Sequence, residues 1–213
     1  PQGATGPQGA TGPQGATGPQ GASGAIANLS GTNYSDYIYW TGTTWAVGGN
    51  EVHLGANASY GSSASYTVAL GYNAASDTGG LYYQRQAAVA IGAEAGRYAQ
   101  GTQAISIGNQ AGQVNQASKA VAIGMQAGQG TQGANAVALG ALAGQTGQTG
   151  GAIAIGNNSG NNAQRECALA AGCQAGLTGQ GTYAVAIGTY AGAANQGTAS
   201  IAIGNNAGAT YQG

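Results

Sequence analysis

From about residue 67 onward, small and aliphatic residues alternate over four positions and stop at a glycine, and the phrase returns at every sixteenth position. AVAIGAEAG at 88–96, AVAIGMQAG at 120–128 and AVAIGTYAG at 184–192 are three of its copies. With the recurrent glycine as position 0, positions −3 and −1 carry Val, Ile or Leu. Examples are Val121 and Ile123, Val137 and Leu139, Ile153 and Ile155, and Ile201 and Ile203; positions −4 and −2 are mostly Ala. Alternation of period two over so short a stretch predicts a strand of about four residues. The glycine then permits a turn. Ala usually returns at +3, Gly at +4, and a further Gly often stands at +9. Each repeat therefore reads as two turns and two short straight pieces.

The recurrent glycines are Gly55, Gly71, Gly92, Gly108, Gly124, Gly140, Gly156, Gly172, Gly188 and Gly204. Every interval is sixteen positions except that from Gly71 to Gly92, which is five longer. A fixed short period makes each repeat one structural rung that stacks on the next. The implied fold is all-β: a parallel β-solenoid whose strands pair with their copies about 4.8 Å away, so that ten rungs make a rod of about 48 Å. On this reading the branched residues at −3 and −1 stack inside the roll. The alanines then form a flat, small-sided face that another roll can approach. So short a rung is thin and buries little alone, which argues for assembly with further chains.

Two other segments break this period. Residues 1–24 carry Gly at every third position in units of Pro-Gln-Gly-Ala-Thr-Gly. That is the collagen pattern, since only Gly fits at the crowded axis of three chains. Eight such triplets, with Pro confined to one slot, need help from a neighbouring trimeric domain. Residues 25–50 hold both tryptophans of the chain. The run from Asp36 to Val47 reads as a hairpin in which aromatic and β-branched residues flank a Thr-Gly-Thr-Thr turn. Tyr37, Tyr39, Trp40 and Trp45 are read as the aromatic core of a neck between the stalk and the array at 51–213. A carbohydrate-stacking surface is the other reading of the same residues.

Composition sharpens this picture. Glycine is 43 of 213 residues, phenylalanine is absent, and charged residues are 4%, against about 25% in ordinary soluble domains. The four cations, Arg85, Arg97, Lys119 and Arg165, are scattered among five acids, which argues against a nucleic-acid surface. Solubility is assigned to Gln, Asn, Thr and Ser at the non-periodic positions. Four trypsin sites imply resistance to digestion and suit an extracellular object. No apolar stretch approaches the roughly 20 residues of a membrane helix. The chain begins and ends inside repeats, so it reads as a segment of a longer protein.

The repeated [A/S]-[V/I]-A-[I/L]-G-x-x-A-G between 67 and 208 resembles the YadA-like head repeat of trimeric autotransporter adhesins. The resemblance covers about two-thirds of the chain and implies a homotrimer of left-handed parallel β-rolls that binds host surfaces or matrix. In that family the head stands on a coiled-coil stalk with a C-terminal membrane barrel. This sequence has no heptads and no barrel pattern, and a collagen-like stretch precedes the head. The stalk, and the segment YIYWTGTTWAVGG, are similar to the collagen-like and aromatic modules of phage tail fibres and large-virus surface fibres.

Candidate chemistry is sparse. Gly128–Gly133 matches GxGxxG but has no acidic residue near Ile153, so it reads as turn glycine rather than a dinucleotide fingerprint. A single histidine cannot be assembled with a nucleophile and an orienting acid, and no enzymatic activity or cofactor is expected. His53 stands at −2 of the first rung. If that face looked toward a threefold axis, three rings would converge on a metal or an anion; the other reading is a ring packed beneath the aromatic neck. Cys167 and Cys173 lie at −5 and +1 of the rung of Gly172, too far apart along a strand for one bridge. Free thiols are expected there, with bridging between chains left open. The same rung has Ala171 where Ile is usual.

The five extra residues between Gly71 and Gly92 are the best recognition candidate, because insertions in solenoids project from one face. Leu81, Tyr82, Tyr83 and Arg85 supply interface-type side chains there; folding of the loop onto a neighbouring chain is the alternative. The partners expected are two identical chains, with a host-surface glycan or protein as target and neighbouring trimers stacked head to tail as a rival. The sequence as a whole reads as a trimeric fibre or adhesin segment on a virion, phage fibre or cell-surface appendage. The alternatives are a structural extracellular filament and a bacterial trimeric surface adhesin.

Overall fold

The computed structural model describes residues 3–4, 29–61, 64–76 and 86–212. It divides into two compact units, Pro1–Val47 and Gly48–Gly213. Apart from Gly3 and Ala4, the stretch with a period of three lies outside the described residues.

In the first unit the predicted hairpin is present. Strands β1 (Ile38–Trp40) and β2 (Trp45–Val47) pair antiparallel with Ile38 opposite Val47 and Trp40 opposite Trp45. Thr41 closes the turn: its N–H donates to the Thr44 carbonyl at 2.9 Å, and its Oγ1 accepts from the Thr44 N–H at 3.0 Å. Upstream, the Asp36 carboxylate accepts the N–H groups of Thr32 and Asn33 at 2.7 and 2.8 Å. These bonds, that of Asn33 foremost, hold its pKa below the usual value.

The second unit is a parallel β-solenoid, with no helix among the described residues. One strand from each rung enters a single ten-stranded sheet: β3 (Val52–Leu54), β4 (Val68–Leu70), β5 (Val89–Ile91), β6 (Ile105–Ile107), β7 (Val121–Ile123), β8 (Val137–Leu139), β9 (Ile153–Ile155), β10 (Leu169–Ala171), β11 (Val185–Ile187) and β13 (Ile201–Ile203). Each strand occupies positions −3 to −1 of its repeat, and the register is constant: Val121 faces Val137, Ala122 faces Ala138 and Ile123 faces Leu139. The longer interval between Gly71 and Gly92 leaves this register intact, since Val68 pairs with Val89 and Leu70 with Ile91. The second straight piece, at +6 to +8, is marked by isolated parallel bridges such as Thr146–Asn162 and by β12 (Ala194–Gln196) pairing with β14 (Thr210–Gln212).

So short a coil closes because it bends at left-handed corners. In the rung of Gly124 the corners are Gly124 (φ 128), Gln126 (φ 56), Gly128 (φ 52) and Asn135 (φ 58). The glycine at 0 has a second reason to be glycine. A Cβ on Gly124 would lie 2.6 Å from the backbone carbonyl of Gly140, and the same contact recurs rung after rung. The rungs approach too closely there for any side chain.

The interior departs from expectation in two ways. First, the aliphatic residues face outward. Alanines at −4, −2 and +3 are fully buried, as in the cluster of Ala111, Ala122, Ala127, Ala138, Ala143 and Ala154. Their neighbours at −3 and −1 are half-buried or exposed. The physical reason is width: where positions −2 and +3 face each other across the flattened coil, the alanines pack directly together and leave no room for a larger side chain.

Second, glutamines expected at the surface fill the interior. Gln100, Gln116, Gln132, Gln148, Gln164, Gln180 and Gln196 are buried at position +8. Nε2 of Gln132 donates to the Val121 carbonyl at 2.8 Å and to Oε1 of Gln148 at 3.1 Å, while its own Oε1 accepts from Gln116 at 3.1 Å. The result is an internal amide ladder along the axis. Glycine at +4 makes space for it, since a Cβ on Gly128 would lie 2.7 Å from Oε1 of Gln132. The two features travel together: every rung from Gly92 to Gly204 has Gly at +4 and Gln at +8, whereas the rungs of Gly55 and Gly71 have neither, with Ser59 and Ala75 at +4 and Ser63 and Gly79 at +8.

Candidate functional site

The outward face of the ten-stranded sheet is apolar along its whole length. Positions −3 and −1 of successive rungs form two adjacent rows of Val, Ile and Leu, interrupted only by Ala171, with no charged residue in either row. In mid-rod Leu139 and Ile155 are each 42% exposed, and at the C-terminal end Ile203 reaches 63%. Ten strands at about 4.8 Å and a width of about 10 Å give a strip of roughly 400 Å². Contiguous apolar surface of this size equals the largest patch on a typical monomeric protein, which is often functional. Full burial of the strip is worth about 10 kcal/mol per chain, comparable to the cost of association.

Much of the corner at +2 and +5 is polar. Asn57 donates to Oδ1 of Asn73 at 3.0 Å at its start; further along Glu94 pairs with Arg97 at 2.9 Å, and its second oxygen accepts from Gln110 at 3.0 Å and Gln113 at 2.7 Å. Amides continue through Gln126, Gln129 and Gln145 to Asn161, each bonded to a residue 16 or 19 positions earlier. This outer ladder spends its hydrogen-bonding capacity on itself and braces neighbouring rungs.

The aromatic candidates fall into two groups. Trp40 and Trp45 meet edge to face at 5.5 Å, and Tyr37 and Tyr39 lie 5.8 Å apart. Within this chain the tryptophans are 53% and 39% exposed. Leu81, Tyr82, Tyr83 and Arg85 lie outside the described residues.

His53 pairs in register with Ala69. It therefore belongs to the inward row and does not look outward from the sheet, and both ring nitrogens are shielded from solvent. Burial pushes its pKa down, partly offset by Glu51. The expectation that three such rings converge on an axis does not fit this orientation. Among the described residues no group of three His, Cys, Asp or Glu side chains is placed to hold a metal ion. No helix among them is long and apolar enough to cross a membrane.

Sequence reasoning missed the buried glutamines. Their signal was an unbroken run of Gln at +8 over eight successive rungs from Gln100 to Gln212. No protein-family model, curated protein or solved structure matches the chain.

Proposed function

We propose that the chain is a structural fibre segment. Three copies of the solenoid turn their aliphatic sheet faces toward a common axis, and the rod so formed carries an attachment surface away from a virus particle, a phage or a cell. The observation that carries this reading is the outward double row of Val, Ile and Leu from β3 to β13. Glycine at every third position of residues 1–24 favours three chains over two. A rod with few charges and a short repeating rung acts by geometry: it sets distance and presents three copies of one weak contact, whose avidity exceeds that of a single copy.

The test is sedimentation equilibrium of the full chain together with binding to glycan arrays and intact cells. A trimer that binds, and loses binding when Tyr82→Ala and Tyr83→Ala are combined, supports the reading. A stable monomer overturns the assembly. Trimers that associate end to end with no surface binding replace attachment by a filament role.

A further inference from the structure

The chain has two cysteines, and both lie in one rung. Cys167 precedes β10 and Cys173 follows it, at −5 and +1 of the rung of Gly172; both are exposed and unbridged. Each is tied to a neighbouring rung, Cys167 through its N–H to the Gly150 carbonyl at 3.2 Å and Cys173 through its carbonyl to the Tyr190 N–H at 3.0 Å. With an extended strand between them their Cα atoms stand roughly 15–20 Å apart, against about 4.4–6.8 Å for a disulfide. They cannot bridge within one chain without tearing β10 from the sheet.

These positions flank the aliphatic strip on opposite sides. When three identical strips turn inward about a threefold axis, rotation sets the −5 margin of each chain against the +1 margin of the next, at the same level of the rod. A margin never meets its own copy. We infer that Cys167 of each chain is bridged to Cys173 of the next, closing a ring of three inter-chain disulfides around the trimer at the rung of Gly172.

Two further features of that level fit the bridge. In the row of Cys167 the preceding rung has Gly151, and a Cβ there would lie only 3.1 Å from Sγ of Cys167. The glycine gives the thiol clearance. Beside Cys173, Ala171 replaces the branched residue that the other rungs carry at −1. A neighbouring chain can approach more closely at this rung, and the aliphatic contact forgone there is replaced by covalent linkage.

Closure requires an oxidant, and glutathione disulfide suffices. One thiolate attacks it, forming a mixed disulfide and releasing one glutathione thiolate. The thiolate of the neighbouring chain then attacks the protein sulfur and releases the second. Three bridges consume three glutathione disulfides and yield six glutathione thiols.

The inference rests on the trimer proposed above, and the experiment separates the two. Sedimentation under reducing conditions reads assembly; a denaturing gel without reductant, after oxidation with glutathione disulfide, reads the ring. Expected are a reduced trimer and, after oxidation, loss of the monomer band to a covalent three-chain species that dithiothreitol returns to monomer. Cys167→Ser and Cys173→Ser each abolish that species, and trimers assembled from a mixture of the two variants give covalent dimers. A reduced trimer that keeps two titratable thiols per chain after oxidation overturns the ring alone. Covalent dimers from either single variant also overturn it, because they show like-to-like contact. A monomer in sedimentation overturns ring and assembly together.

Discussion

At the scale of single residues, close approach between rungs decides more than propensity does. Gly124→Ala puts a methyl group 2.6 Å from the Gly140 carbonyl at a φ of 128°. It is expected to cost about 2–4 kcal/mol, from backbone strain and overpacking combined. Gly147→Ala, with nothing nearer than 3.5 Å at a φ of 69°, is the control and costs about 1 kcal/mol; urea unfolding compares the two. Gln132→Leu removes the second hydrogen bond to the Val121 carbonyl and leaves the buried Oε1 of Gln148 without its donor, with an expected loss of about 1–3 kcal/mol. His53 gives a pH dependence. Its folded pKa lies below the unfolded value of 6.5, so below that value the unfolded chain takes up the proton first. Stability is full above it and falls as the medium is acidified. Melting temperature against pH for the native chain and for His53→Gln checks this: the variant's curve is flatter between pH 7 and 5. The recurrent glycines were legible as turn positions because the period singles them out, whereas the close approach of the next rung's backbone was not. The role of the glutamines was not, because Gln is ordinarily a surface residue and only its coupling to Gly at +4 reveals that the coil has been opened to admit it.

At the scale of elements, strand positions and the hairpin turn were legible and the facing was not. Alternation tells which residues share a side; it does not tell which side is inside when both are apolar. Ala122 and its flanking Val121 and Ile123 are equally acceptable to a hydrophobic core by type. Volume decides between them, and volume enters only once the second side of the coil is known to lie a methyl group away. Two substitutions on β7 expose the difference. Ala122→Val overfills the interior and costs about 1–3 kcal/mol, read as a lower denaturation midpoint. Ile123→Asp leaves the fold intact but places a charge in the outward strip, so on the proposed assembly circular dichroism is unchanged while the sedimenting mass drops to that of one chain. The insertion is also an element-scale matter: it enters after the left-handed corner at Ala75 (φ 51) and returns before Ala87 (φ 59), where the chain already leaves the sheet.

At the scale of the whole molecule, the near absence of charge sets how the chain meets its surroundings. With four cations and five acids in 213 residues, neither folding nor assembly leans on ion pairs, whose worth salt would reduce. The mass measured by sedimentation is therefore expected to be the same in low and in molar salt. The parallel sheet has a mechanical consequence as well. Its backbone hydrogen bonds run along the rod, so tension applied between the two ends loads one rung boundary at a time instead of shearing many together. Each coil that peels away frees about 50 Å of thread, and those beneath it stay wound. Under a sudden pull the solenoid lets out line one coil at a time and recoils onto an intact template.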